Sequence, residues 1–460
     1  MTMIRRALCL ALMGLAPRLA AEPLTVESAI GAARATSGTL RVKRLEVERT
    51  EYALREARTR SMPQLGLTAS STYMTNPPEG ITIRQGSFGA APVPGSEYPV
   101  FLPDQDYVLV KDTEPTYFTL TGTLDQVLWT WGKIEKAAKI AELDRAAAEV
   151  AVEASARQLD ADVARAYFGA VASRDSLELL REAEALAGEM VADRERAFAE
   201  GTLVKQDVLE IRSQAAQITA QRVRAEEGLA TGLDALELYT GSRPDPASLA
   251  SGYRDALPEI DEKALVQSAL ASSTELKTLS LKGRQAELAE ELRRASLMGL
   301  PDISLRLTLD IKGQEVPFVG GNWTDTWDTN LMLTIAGKVT LFDSLASVWS
   351  LKQAQAQSTE AAEGAAELAR GMRIQVRRLV DAARTNAALV VQRQAEAEYA
   401  AEQARNAAVS YENEIITRGE ERGARLQAVV ARLTLLLARL QTEYAILDLE
   451  LLSGASFPRQ

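Results

Sequence analysis

The sequence contains no histidine and one cysteine, Cys9, which lies in an apolar run near the N-terminus. The absence of histidine removes the commonest general base and the commonest metal ligand. Once the N-terminal run is processed, the chain has no thiol and no disulfide. The composition therefore argues against a metalloenzyme or a thiol enzyme, and it predicts no catalytic residues, no cofactor and no metal site.

Basic residues are fewer than acidic residues, and long apolar runs are also few. The 52 Lys and Arg residues are outnumbered by 63 Asp and Glu residues, for a formal net charge of −11. Because phosphate binding needs clustered cations, nucleic acid is not an expected partner. No later stretch approaches the ~20 apolar residues of a transmembrane helix. By the helix criterion, the sequence predicts an exported protein without a membrane span.

The first 21 residues have the pattern of a secretory signal peptide. Arg5 precedes an apolar run over residues 7–16, and Ala21 closes the segment. We therefore expect residues 1–21 to be removed on export. A short membrane anchor is the alternative, although the run is too short to span a bilayer.

Proline is absent from two long helical runs, 132–199 and 345–413, which are rich in Ala, Glu, Gln, Arg and Leu. At a rise of ~1.5 Å per residue, each run predicts a helix about 100 Å long. This composition suits uninterrupted helices packed side by side. Turns at 200–204 and 414–419 are predicted to lead into returning helices at 204–239 and 420–452.

The two helical runs are copies of one another. Leu128 corresponds to Leu341 and Phe198 to Tyr411, in both cases with an offset of 213 residues. A gapless duplication indicates that helix packing fixes the length, because one inserted residue would rotate a helix face by ~100°. The sequence thus predicts two structural repeats, 22–241 and 260–454, with an equatorial linker at 242–259 and a C-terminal tail at 455–460.

Four segments alternate between apolar and polar residues, which is the pattern of two-faced β-strands. They span 64–75, 116–128, 302–312 and 329–341, and the candidate lipid-facing residues are Leu305, Leu307, Leu309, Leu331, Leu333 and Ile335. Each segment is long enough to cross the hydrocarbon layer of an outer membrane when tilted. The alternative is a soluble sheet whose aliphatic face packs on helices. Residues 76–114, which are rich in proline, are predicted to form a loop.

The helices favour the membrane interpretation. Their apolar residues have coiled-coil spacing, as in the leucine seam from Leu426 to Leu451, so these helix faces are expected to pack on one another and not on the sheet. Four strands cannot close a barrel, and open sheet edges are not tolerated in lipid. The chain is therefore expected to oligomerise, and three copies would supply twelve strands. Tryptophans flank the strands, where aromatic belts lie: Trp129, Trp131, Trp323 and Trp327.

The order of these elements closely resembles the TolC-like outer-membrane efflux protein family over essentially the whole mature chain. The motifs that carry the resemblance are Leu24–Ala29 in the opening helix, Phe198–Leu209 at the first helix tip and Leu341-Phe342-Asp343 at a strand-to-helix junction. The resemblance implies a mainly α fold with membrane β: a homotrimer whose twelve-stranded barrel in outer-membrane lipid continues into a periplasmic coiled-coil tunnel.

The same resemblance implies a non-enzymatic exit duct. Such a duct receives substrates from an inner-membrane transporter through a periplasmic adaptor protein. A coiled-coil envelope protein without a pore, structural or adhesive, is the alternative function. The matched strand hairpins argue against this alternative, because an adhesin rod has no need of amphipathic strands.

Two sets of helix-tip residues become candidates through the resemblance. Family members carry acidic rings and a tyrosine latch at the periplasmic entrance, which here implies Tyr411, Glu414, Arg418 and Glu420, with Asp207 at the position that corresponds to Glu420. The arginine position of the family holds Ile416, so Arg418 is a displaced candidate. The adaptor-docking candidates are Gly201, Thr202, Leu203 and Val204. For the entrance residues the alternatives are a solvated helix face or ordinary seam packing, and for the docking tip a simple left-handed turn.

Overall fold

The computed structural model describes residues 24–91, 94, 97–98, 100–110, 112, 115–254, 257–314, 327–340 and 342–458. The predicted signal peptide, Trp323 and Leu341 lie outside these residues.

Helices dominate the described chain. They are α1 (Val26–Thr36), α2 (Gly38–Thr59), α3 (Lys133–Ala199), α4 (Lys205–Thr240), α5 (Glu262–Ser272), α6 (Thr274–Leu297), α7 (Ala346–Glu412) and α8 (Arg418–Ser453). The strands are β1 (Gln64–Tyr73), β2 (Ile81–Ile83), β3 (Ala90–Ala91), β4 (Val100–Phe101), β5 (Tyr107–Val110), β6 (Thr116–Trp129), β7 (Asp302–Gly313) and β8 (Trp327–Lys338). The predicted mainly α fold with four long strands is confirmed.

The two long helices have the same length and the same spacing along the chain. Both α3 and α7 contain 67 residues, both α4 and α8 contain 36, and all four helix ends repeat with the 213-residue offset. Left-handed backbone positions repeat with it: Trp131 and Gly132 match Ser344 and Leu345, Gly201 matches Glu414, and Gly241 matches Gly454. Each repeat therefore uses the same junction, tip and C-cap geometry, whichever side chain stands there.

Several predicted limits are wrong by one to three residues, each for a local reason. The first strand ends at Tyr73 and not at 75, because its partner strand starts opposite, at Thr116. The fourth strand runs over 327–338 instead of 329–341, since its register follows β7 from Gly313 back to Asp302. The long helices begin at 133 and 346, one residue after the left-handed Gly132 and Leu345.

The segment predicted as a loop, 76–114, contains two antiparallel ribbons, β2 with β5 and β3 with β4. Two aspartate carboxylates accept hydrogen bonds from backbone amides within this segment. Asp112 accepts a hydrogen bond from the Gly80 amide at 2.6 Å, and Asp106 accepts one from the Gln85 amide at 2.7 Å. The prolines and glycines predict the bends of this segment, but not the short paired strands that its described residues form.

The described chain divides into two compact units. The strand unit comprises Tyr52–Glu142 and Ala286–Ala356, and the helical unit comprises Met1–Glu51, Leu143–Gln285 and Gln357–Gln460. Each sequence repeat therefore contributes to both units. Within the strand unit, the long strands form one antiparallel sheet in the order β1-β6-β7-β8, with β1 and β8 at its edges.

The helical unit is built around buried side chains of its long helices. One cluster surrounds Tyr167 and Phe168 on α3, and another surrounds Val376 and Val380 on α7. The Tyr167 hydroxyl donates to the carbonyl of Leu24, which also receives the amide of Ala250. The equatorial linker is thus fastened to the helices and to the start of the described chain.

Candidate functional site

The long sheet presents one aliphatic face. Leu65, Leu124, Leu307 and Leu333 are successive cross-strand partners, and directly paired residues share a face. The adjacent rows add the other predicted residues, with Leu309 opposite Leu331 and Leu305 opposite Ile335. In the isolated chain, Leu331, Leu333 and Ile335 are between 64% and 67% exposed. The sheet therefore leaves an aliphatic surface uncovered within this chain.

Aromatic residues stand at both ends of this aliphatic face. The register of β6 shifts between Val127 and Trp129, so that Trp129 pairs with Ile303 and joins the face of Leu307. At the other end, Trp327 pairs with Gly313, where a Cβ would overlap the indole ring. The bulge could not be predicted from the sequence, because alternation alone assumes a continuous register.

The opposite face of the sheet is polar. Arg306 donates from Nε to the Asp125 carboxylate at 2.6 Å, and the Thr121 hydroxyl donates to Asp310 at 2.6 Å. Both bonds link β6 to β7, in agreement with the cross-strand register. The face is therefore polar and internally hydrogen-bonded, in contrast with the aliphatic side.

The first helix tip joins α3 to α4. Gly201 adopts a left-handed φ of 76°, and the Thr202 amide donates to the carbonyl of Ala197 at 2.9 Å. Val204 precedes α4 and is 63% exposed, while the carboxylate of Asp207 reaches back to the Val204 amide at 3.3 Å. The tip thus combines a rigid turn with an exposed aliphatic side chain.

The second tip brings two predicted residues together. Arg418 donates from Nε to the Tyr411 hydroxyl at 2.8 Å, with its guanidinium carbon 5.6 Å from the ring centroid. This hydrogen bond raises the pKa of Arg418. Glu414 occupies the left-handed position of Gly201, with φ of 59°. An acidic residue there is strained, because non-glycine residues disfavour this region.

Glu420 caps the start of α8, a structural role that its position in the duplication does not predict. Its carboxylate accepts the Thr417 amide at 2.8 Å, while the Glu420 amide donates to the Thr417 hydroxyl at 3.3 Å. This is a capping box, and it starts α8 at Arg418 instead of the predicted 420. The hydrogen bonds from the Thr417 amide and hydroxyl lower the pKa of Glu420. The Thr-x-x-Glu spacing of Thr417 and Glu420 is the sequence pattern that predicts such a capping box.

Arg422 connects the second tip to α3 and was not a predicted site residue. Its mostly buried guanidinium pairs with Asp193 and lies 2.8 Å from the carboxylate of Glu189. The bond joins the returning helix of one repeat to the long helix of the other. Sequence alone could not pair residues more than two hundred positions apart.

The described residues contain no group of three or more Cys, Asp or Glu side chains that could hold a metal ion. None of the helices in this part of the chain combines the length and the hydrophobicity needed to cross a membrane.

Solved outer-membrane proteins share this fold. A membrane protein from Pseudomonas aeruginosa aligns with a TM-score of 0.71 and 18% identity, over 93% of this chain and 92% of its own. The CmeC outer membrane channel of Campylobacter jejuni aligns at 0.70 and 16% identity, over 93% and 85%. The outer membrane protein VceC of Vibrio cholerae aligns at 0.68 and 19%, over 94% and 97%. No curated protein sequence matches the chain.

The chain thus shares its fold with solved outer-membrane channels. The family model for outer membrane efflux proteins matches residues 29–242, which is the first repeat almost entire. The match agrees with the TolC-like resemblance that the motifs predicted: the first repeat is similar to outer membrane efflux proteins, and the solved structures that share the fold include outer-membrane channels. The outer membrane efflux proteins are a family of channels, not of enzymes.

Proposed function

We propose that this protein is the passive exit duct of a tripartite efflux system. Three copies form a pore across the outer membrane and a helical conduit in the periplasm. Substrates arrive from an inner-membrane transporter through a periplasmic adaptor, and the duct itself catalyses no reaction. The observation that carries the proposal is the four-stranded sheet with one aliphatic face, one polar face and two edges that lack a second neighbour among the described strands.

The dimensions of the aliphatic face support a membrane location. Its aromatic ends pair with Ile303 and Gly313, which are ten residues apart on β7. At ~3.4 Å per residue and a tilt of about 35–45°, that separation corresponds to roughly 24–28 Å along the membrane normal. Outer-membrane barrels have an apolar band of about 25 Å between aromatic girdles. This match supports the lipid-facing assignment of Leu305, Leu307 and Leu309.

The unpaired edges support the trimer. Strand edges in lipid must be satisfied, because each unpaired backbone group there costs several kcal/mol. Pairing β1 of one copy with β8 of the next closes the sheet without a free edge. Three copies give twelve strands, which is within the range of known outer-membrane barrels.

The helix tips supply the proposed entrance and the proposed docking site. Tyr411 and Arg418 form the latch, while Glu420 of three copies supplies the carboxylate ring that favours cations. At the other tip, the exposed Val204 beside Gly201 offers an aliphatic contact for a helical hairpin of the adaptor.

Mass measurement and conductance together test this function. The protein is extracted from outer membranes in detergent, sized, and reconstituted into planar bilayers. We expect a trimer of the mature chain and discrete ion conductance. A monodisperse, detergent-free monomer without conductance would end the duct proposal and leave a coiled-coil envelope protein as the better explanation.

A further inference from the structure

A cavity of about 450 Å³ lies in the strand unit where β6 passes into α3. The end of α2 contributes Arg58, and the strand and the following helix contribute Trp129, Trp131 and Glu135. This volume is in the range of sites for small organic molecules. The cavity stands at the end of the aliphatic face that carries Trp129.

Two opposite charges line the cavity without neutralising each other. Arg58 and Glu135 are both exposed, and neither side chain forms an ion pair or a hydrogen bond with the described residues. An arginine fork matches a phosphate group, and a carboxylate matches an ammonium group. A ligand that carries both charges would complement the cavity better than a simple anion or cation.

The aromatic wall has a fixed geometry. Trp129 and Trp131 meet edge to face, with ring centroids 6.0 Å apart and an interplanar angle of 88°. The Trp131 indole donates to the carbonyl of Pro301 at 3.0 Å, which orients the ring. Indole rings attract ammonium groups and favour the boundary between lipid and water.

The second repeat has the same backbone junction but not this set of side chains. Ser344 replaces Trp131, and Val348 stands 213 positions after Glu135. Arg294, twenty residues into α6 as Arg58 is into α2, donates to Glu290 at 2.6 Å. The left-handed backbone is therefore a property of both junctions, whereas the charged and aromatic cavity belongs to the first.

We infer that this cavity binds the headgroup of a zwitterionic phospholipid, with the phosphate at Arg58 and the ammonium between Glu135 and the indoles. The inference rests on the proposed membrane orientation. The acyl chains leave the cavity beside Leu128, which lines it and is 47% exposed, and continue along the aliphatic sheet face. Because the acyl chains also contact this surface, we expect an intact membrane lipid to bind more tightly than a free headgroup.

Lipid binding can be measured by native mass spectrometry of the detergent-solubilised protein titrated with phosphatidylethanolamine or phosphatidylglycerol. We expect phosphatidylethanolamine to bind more tightly, with one preferred lipid per chain. The Arg58→Gln variant should lose about fivefold in affinity for both lipids, since one charged hydrogen bond is removed. Glu135→Gln should abolish the preference between the two lipids, because only phosphatidylethanolamine carries an ammonium.

Arg60→Gln is the matched control, because Arg60 is exposed at the same helix end but does not line the cavity. Its lipid affinities should equal those of the unmodified protein. Soluble glycerophosphoethanolamine, offered as a competitor, should displace the lipid only at far higher concentration. Displacement at equal concentration would overturn the assignment to a membrane lipid.

The outcomes separate this inference from the proposed function. A conducting trimer whose lipid affinities are the same in Arg58→Gln and Arg60→Gln would overturn the headgroup site and leave the duct intact. A detergent-free soluble monomer would overturn both.

Discussion

The guanidinium of Arg254 lies 3.2 Å from the carboxylate of Glu443, and their side chains are only 4% and 1% exposed. Arg254 also contacts Glu450 at 2.7 Å and donates to the carbonyl of Phe457 at 3.0 Å. One arginine therefore joins the equatorial linker to the last helix and to the C-terminal tail. Because Arg254 and Glu443 are buried together, the loss of either one would leave the charge of the other without its partner.

Removing one partner of this pair should be costly. Arg254→Met leaves the Glu443 carboxylate buried with its arginine gone, and we expect a loss of about 3–5 kcal/mol in stability. The double variant Arg254→Met/Glu443→Leu should lose less than the two single variants combined, because no uncompensated charge remains. Thermal unfolding of the detergent-solubilised variants measures this coupling. Strictly additive losses would mean that the pair contributes no specific interaction.

The contact between α3 and α4 requires glycine at position 232. A Cβ there would lie 2.9 Å from the Ala170 Cβ and 3.1 Å from the Ala170 Cα, so Gly232→Ala must push the helices apart. We expect a destabilisation of about 1–3 kcal/mol. Gly188→Ala is the control, because a methyl group at this mid-helix position would meet no described atom within 4 Å apart from its chain neighbours and the adjacent backbone of its own helix. That variant should gain up to about 1 kcal/mol. Equal melting temperatures for the two variants would contradict the close packing.

The two faces of the sheet should respond differently to charge. Leu333 is 64% exposed within the chain, so Leu333→Asp would be nearly neutral if water covered this face. If lipid covers it, the carboxylate should cost about 2 kcal/mol and lower the yield of assembled protein. Thr334→Asp is the control, because Thr334 pairs with Arg306 on the polar face. Heat-stable oligomer on gels gives the yields, and equal yields would contradict lipid at Leu333.

Glu420 should control ion selectivity over a wide pH range. Its pKa is lowered by the hydrogen bonds from Thr417, so the carboxylate remains charged at neutral pH. A lowered folded-state pKa stabilises the cap above the unfolded value of about 4.3, and this stabilisation is lost as pH falls through the folded value. Cation selectivity in planar bilayers should therefore persist until the pH falls below that unfolded value.

Glu420→Gln tests the same residue at neutral pH, because glutamine can keep the capping box while removing the charge. We expect weaker cation selectivity and weaker block by multivalent cations. Glu412→Gln serves as the control, since Glu412 is an exposed carboxylate at the end of α7 without a capping bond. Unchanged selectivity in Glu420→Gln would place the constriction elsewhere.

The sequence predicted the features that depend on periodicity. The helix ends and left-handed positions repeat at the predicted 213-residue spacing, and the six aliphatic strand residues share one face. Features set by partners distant in sequence were not accessible. The bond between Arg422 and Asp193 and the burial of Arg254 against Glu443 both depend on how helices from different repeats pack. The register shift at Trp129 likewise depends on its partner Ile303 on β7, which is 174 residues further along the chain.

Closure of the sheet between copies can be measured most directly with paired cysteines. The mature chain is expected to have no cysteine, so one cysteine at Thr68 on β1 and one at Asn330, Met332 or Thr334 on β8 report only the introduced pair. If β1 of each copy pairs with β8 of the next, at least one combination should oxidise to a covalent closed trimer in outer membranes. The corresponding single variants should give none. Covalent dimers from Thr68→Cys alone would show that β1 pairs with itself, and no cross-link in any combination would contradict the trimeric barrel.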